Sequence, residues 1–275
     1  MKKLYILLLS VVLFLLLSSL LWSKDRNFDS LWTKSEMVID GKESEWSGSI
    51  YYLEDQKIGL GLQNDTSNLY ILIKATDRFR QLQIMRTGLT IWIDAAGKDK
   101  KSLGIHYPIG MQEYGIPDVK ANPNTEFASE QKNRFAEMLR EIEVLGPEKN
   151  DRNRIGRANN FGIEAALSDT LGVMIYELKI PLKSTSQNPY AISSNPGSSI
   201  SVGLEGSKFN REMMGNRMRM RGGMPGGEGG MRPGDMMPGE GQPPESTSAG
   251  RRERGKMLEP IDIWAKVSLA KTAGN

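Results

Sequence analysis

Cysteine is absent from the 275 residues and histidine occurs once, at His106. Without cysteine there is no disulfide, no thiolate metal site, no cysteine nucleophile and no lipid-modified cysteine. With one histidine, any hydrolytic triad of the Ser-His-Asp kind would have to run through His106. The sequence also lacks a G-x-S-x-G elbow, an H-E-x-x-H helix, a P-loop and a dinucleotide fingerprint. C-x-x-C-H is missing too, so a haem could be held only noncovalently. Two acids distant in sequence could meet as a glycoside-hydrolysing pair, but no spacing marks one. The formal net charge is only +3, which points to no nucleic-acid partner.

The N-terminus is the most definite feature present. Met1-Lys2-Lys3 precedes an unbroken apolar or small run over residues 4–22. Positive residues ahead of such a run describe an export signal. The run also reaches the roughly 18 residues that can span a bilayer. Residues 1–23 are therefore either a cleaved signal or a retained anchor. Both expectations place residues 24–275 outside the cytoplasm, in the periplasm or the extracellular space. Membrane contact is expected only if the segment is kept.

Beyond it, apolar residues alternate with polar or small ones at the period of half-buried strands. Ile58, Leu60 and Leu62 alternate with Gly59 and Gly61, and a polar turn leads to Leu69, Ile71, Ile73 and Ala75. Residues 88–108 form the central pattern. Leu89, Ile91 and Ile93, then Leu103 and Ile105, fall on one face of a hairpin turning at Gly97-Lys98. Thr90, Trp92, Asp94 and His106 fall on the other. One face builds a core and the other is free to build a site. Further strands are expected over residues 162–167, 174–182, 199–204 and 261–269, the last placing Trp264 opposite its core face. Residues 77–87 suit a short helix. Residues 129–145 carry Phe135, Met138, Leu139, Ile142 and Leu145 at helical spacing, which predicts an amphipathic helix. Residues 150–157 read as a basic linker. Residues 211–257 are rich in Met, Gly, Arg and Pro, a composition that cannot bury enough surface to offset its ordering entropy. They are expected to be a disordered loop interrupting the domain. These elements together predict one all-β domain, an antiparallel β-sandwich with one amphipathic helix and one long disordered loop.

IDGKESEW (residues 39–46), NLYILIKATD (68–77), the hairpin GLTIWIDAAGKDKKSLGIHYP (88–108), YELKIPL (176–182) and ISVGLEG (200–206) occur in this order. Together they resemble the family-9-like carbohydrate-binding modules and the related DOMON-like β-sandwiches. The likeness is greatest to an exported branch with a Gly/Met/Arg-rich loop before a final IWAKVSLA-type strand. The resemblance implies a sandwich fold, extracytoplasmic placement and a non-catalytic binding role. Relatives of this kind bind sugars or haem. The sugar site in the family is a pair of tryptophans enclosing a ring, and that pair has no residue-by-residue counterpart here. Trp46 falls in the turn motif, where the resemblance implies a structural role.

The candidate ligand-binding residues are Trp92, Trp264, Thr90, Asp94 and His106. Indoles of Trp92 and Trp264 on an outer face can stack on sugar rings while Thr90 and Asp94 take hydroxyls; alternatively, the helix over residues 129–145 buries them. His106 could ligate haem iron, with Met85 or Met111 as second ligand, or it is an ordinary hydrogen-bonded strand histidine. Asp94 and Asp99 could offer oxygens to calcium, but Lys98, Lys100 and Lys101 oppose a cation, so this is taken as a solvated turn. Met213, Met214, Met218, Met220, Met236 and Met237 resemble soft-metal thioether clusters, with Arg217, Arg219 and Arg221 opposing the ion. They are taken as part of the loop. The expectation is a binding module without cofactor or resident metal, whose partner is a glycan or an envelope protein. The alternatives are a noncovalent haem or redox protein and a structural protein of the envelope.

Overall fold

A computed structural model describes residues 26–33, 35–116, 126–148, 150–186, 188–206 and 259–272. The signal or anchor over residues 1–23 and the Met/Gly/Arg-rich loop over residues 211–257 lie outside the described residues. Two sheets face each other. The first has the order β1 (Asn27–Asp29), β13 (Asp262–Ser268), β12 (Ser199–Gly206), β6 (Leu89–Asp94), β7 (Leu103–His106), β8 (Glu141–Leu145) and β9 (Arg152–Gly156). The second has the order β10 (Glu164–Thr170), β11 (Val173–Pro181), β5 (Asn68–Ala75), β4 (Ile58–Asn64) and β2 (Leu31–Trp32), and β3 (Ile50–Leu53) also pairs with β4. Strand pairing is antiparallel except at β1–β13 and β2–β4, which are parallel. The architecture is a β-sandwich.

Alternation along each strand sends one side chain in two between the sheets. Leu89, Ile91, Ile93 and Ile105 meet Leu60, Leu62, Ile71, Ile73, Tyr176 and Leu178 in one core, with Leu103 packed at its edge. The central hairpin pairs Ile91 with Ile105 and Thr90 with His106. That register holds the apolar set inward and the polar set outward together, because a one-residue slip would exchange them.

Two expectations about local structure are corrected. Residues 129–145 are not one helix. Helix α1 spans Arg78–Thr87 and helix α2 spans Glu126–Met138; the chain then turns, with the Arg140 N–H donating to the Glu137 carbonyl, and enters β8. Ile142 and Val144 are two apart and both enter the core. A period of two fits them as well as the helical period, and pairing with β7 decides between the two. The short helix expected over residues 77–87 is present as α1, and the amphipathic helix expected over residues 129–145 is shorter and starts earlier, as α2. Phe135 and Met138 pack with Ile109 and Ile116, past the end of β7. Residues 150–157 are not a linker either: they contain β9, an edge strand on β8 with Ile155 alone packed against the core. Helix α1 begins at Asp77, whose carboxylate accepts from the N–H groups of Phe79 and Arg80, and ends at Gly88, at φ 79°. Only glycine adopts that φ without strain, and it starts β6.

Candidate functional site

The outer face of the seven-stranded sheet follows from the registers. Trp264 on β13 pairs with Gly203 on β12, Gly203 with Trp92 on β6, Trp92 with Gly104 on β7, Gly104 with Leu145 on β8, and Leu145 with Arg152 on β9. The next row out is Asp262, Glu205, Thr90, His106, Glu143 and Arg154. The first row alternates indole and glycine. Each ring lies over the glycine of the neighbouring strand. A Cβ on Gly104 would stand 2.7 Å from Trp92 Cζ3, and one on Gly203 would stand 2.9 Å from three atoms of Trp264. Nothing bulkier than hydrogen fits beneath these rings.

These rows border a groove of about 480 Å³, lined by Thr90, Trp92, Lys101, His106, Glu113, Glu205 and the β8–β9 segment with Leu145, Glu148, Asp151 and Arg152. Trp92 is only 8% exposed, whereas Trp264 is half-buried and lies outside the groove lining. Among the described residues, what encloses Trp92 is its own sheet and a lysine, with no helix packed across it. The Trp92 indole N–H donates to Glu205 Oε2 at 2.7 Å, Lys101 Nζ donates to the same oxygen at 2.6 Å, and that ammonium lies 5.5 Å from the ring centre. Burial pushes the Glu205 carboxyl up, but Lys101 and the indole N–H outweigh it and hold it below the usual carboxylate range.

His106 forms part of the groove floor and is buried. Its Nε2 lies 3.0 Å from the Ile109 carbonyl, which only accepts, so Nε2 carries the proton. Its Nδ1 then accepts from the Thr90 hydroxyl at 2.9 Å. Burial, opposed by the Ile109 carbonyl and by Glu113, lowers its pKa below the ordinary histidine value. Both ring nitrogens are engaged, so the geometry does not offer His106 as a haem ligand. Met85 and Met111 pack into the apolar cluster with Ile109 and Ile116.

His106, Glu113 and Glu143 bring ligand-type atoms within 4.8 Å of one another. Arg152 donates to Glu143 at 2.5 Å and Arg154 to Glu113 at 2.7 Å. Burial raises the Glu143 carboxyl, but Arg152 overrides it and holds it low. Two guanidiniums already neutralise the two carboxylates, and the histidine holds its proton toward Ile109. The donor set is an ion-pair network and fits a resident cation poorly.

Asp94 shares the outer face in sequence but not the groove. Its carboxylate accepts from the backbone N–H groups of Ala96 at 3.0 Å, Lys98 at 2.8 Å and Lys100 at 3.1 Å. Burial raises its pKa, and these amides with Ser102 more than reverse that. It fastens the hairpin turn. The structure therefore brings Trp92, Thr90 and His106 to one groove and leaves Trp264 and Asp94 outside it.

Sequence reasoning missed Glu205, Glu113, Glu143 and Arg152. Glu205 was detectable, because it alternates with Gly203 in ISVGLEG and must share its face. Glu113 follows a loop, and Glu143 and Arg152 belong to strands read as helix and linker.

No family model matches the sequence, and no curated protein matches it. Among solved structures, a family 9 carbohydrate-binding module from Caldicellulosiruptor kristjanssonii appears in complex with glucose and with cellotriose. Each is 9% identical, with a TM-score of 0.34. They cover 68% of this chain and, respectively, 81% and 79% of their own.

Proposed function

We propose that this protein is an exported, non-catalytic binding module whose ligand is a glycan seated in the groove over β6, β7 and β12. The observation that carries this reading is the combination on one wall of an indole fixed over a glycine and a carboxylate aligned by that same indole. Sugar recognition needs an apolar surface for ring C–H groups and fixed acceptors for hydroxyls, and Trp92, Glu205 and Glu148 supply both. The five ordered motifs that resemble family-9-like modules support it, and the lysine-led apolar run over residues 4–22 supports export. In the described groove lining Glu205 is paired with Lys101 and Glu113 with Arg152 and Arg154, and no free nucleophile stands beside a base.

A glycan array probed with the purified chain tests the reading. Binding that falls when Trp92 is replaced, while near-ultraviolet circular dichroism stays native, is the expected result. Absence of binding to every neutral, acidic and amino glycan would remove it.

A further inference from the structure

The groove wall already holds a cation of its own. Lys101 follows the turn that leads into β7 and places its ammonium over the Trp92 ring and on Glu205 Oε2. An aromatic face beside a carboxylate suits an ammonium in general, because the ring's electron-rich face and the anion both attract it. Lys101 holds this position loosely. Its side chain is 52% exposed, its partner pair is screened by solvent, and its four-carbon stem loses rotamer freedom by staying there.

The remaining groove lining is anionic. Glu113, Glu148, Asp151 and Glu205, with Glu143 beside them, set five carboxylates against the three cations Lys101, Arg152 and Arg154. With Lys101 turned into solvent, five carboxylates face the two guanidiniums. An incoming ammonium restores what Lys101 removed, whereas an acidic group would meet the carboxylates unscreened.

We propose that the groove selects amino sugars: a glycan unit bearing a free ammonium displaces Lys101 and takes its position against Trp92 and Glu205. This rests on the glycan reading above and narrows its ligand class. No covalent step is involved.

Titration of the purified full chain, followed by tryptophan fluorescence, tests it with three probes of equal length: a fully deacetylated glucosamine oligomer, its N-acetylated counterpart and a cello-oligosaccharide. At about pH 6.5 the deacetylated oligomer should bind at least about tenfold more tightly than either neutral oligomer. The preference should vanish near pH 9, where a sugar amine, no more basic than an α-amino group at roughly 8, has lost its proton, and weaken with added salt. Glu205→Gln keeps an acceptor for the Trp92 N–H and should abolish the preference with the fold intact. Lys101→Ala removes the competitor and should tighten amino-sugar binding. Equal binding of all three oligomers, or weaker amino-sugar binding by Lys101→Ala, overturns the inference and leaves the glycan reading standing. No binding of any of the three oligomers overturns the inference and leaves the glycan reading to the array, whereas binding of spermidine by a chain that binds no glycan on the array overturns both.

Discussion

The molecule uses one device twice, on opposite outer faces, with opposite results. On the second sheet, Trp46 lies against Gly61, where a Cβ would stand 2.7 Å from its Cε3, and its indole N–H donates to Glu177 Oε1 at 2.7 Å. On the first sheet, Trp92 lies against Gly104 and donates to Glu205 Oε2 at 2.7 Å. The difference is what comes next. Glu177 Oε2 takes the backbone N–H groups of Asp40 at 3.0 Å and Gly41 at 2.6 Å, so the Asp-Gly turn is fastened over the sheet. Met37, Tyr70, Leu72 and Ile175 then close round Trp46 in a small core of their own. Glu205 takes a solvent-facing lysine instead. Burial pushes the Glu177 carboxyl above its ordinary range despite its donors, while Glu205 is held below it. A tryptophan–glutamate pair covered by its own chain is a fastening; the same pair on the first sheet is left beside a groove and capped by one half-exposed lysine.

The comparison breaks most visibly at Trp46. Trp46→Ala should cost about 3–5 kcal/mol, the usual loss for a fully buried aromatic, and Glu177→Ala about 3 kcal/mol or more by stranding an indole N–H and two backbone N–H groups. Chemical denaturation of each variant measures both. Trp92→Ala should cost less, about 1.5–3 kcal/mol, and remove glycan binding at temperatures where the variant is still folded. Losses as large as those at Trp46 would make the two faces equivalent and end the distinction.

The pH dependence sharpens the same contrast. The pKa of His106 in the fold lies below its unfolded value of roughly 6.5. The unfolded chain therefore binds the proton first. The stabilisation is full above that pH, declines as pH falls below it, and stops declining once the folded pKa is passed. Glu113 and Glu143 oppose the shift and Arg152 adds to it, so the slope should be shallow. Denaturant midpoints measured across this window should show the decline, and His106→Gln should flatten it.

The smallest effect is expected from excising residues 211–257 and joining Asn210 to Leu258 through a short Gly/Ser linker. The flanking strands are already closed on each other, since Glu205 pairs with Asp262 and the Gly206 N–H donates to the Ile261 carbonyl at 2.8 Å. Closure entropy changes slowly with loop length, so the thermal midpoint should hardly move. Cooperative loss of structure would show that the segment packs.

Much of this was legible in sequence because a strand with one buried face writes its register in alternation. The hairpin of β6 and β7 is such a case, as are β4, β5, β11 and β13. Edge strands write little. In β9 only Ile155 faces the core, so Arg-Asn-Arg-Ile-Gly looks like a linker. In β8 the apolar residues fit two periods, and only the neighbour β7 resolves them. The short parallel strands β1 and β2 have too few residues for any period. Of the candidate site, the β6 and β7 residues were legible, since one hairpin supplies them. Glu113, Glu143 and Arg152 were not, because their neighbours come from the pairing of β7, β8 and β9.

The first described strands also have a mechanical consequence. The chain passes from β1 on one sheet to β2 on the other through buried Ser30, whose N–H donates to the Ser268 carbonyl at 3.0 Å and whose hydroxyl reaches Asn64. Asn64 in turn donates to the Ala270 carbonyl at 3.1 Å and accepts from the Ala270 N–H at 2.8 Å. A pull entering at residue 26 would load the parallel β1–β13 bonds side by side, in shear, and not peel them one at a time. Force would reach the second sheet only after this knot of Ser30, Asn64 and Ala270 gives way, so the sandwich should resist tethered stretching as a unit.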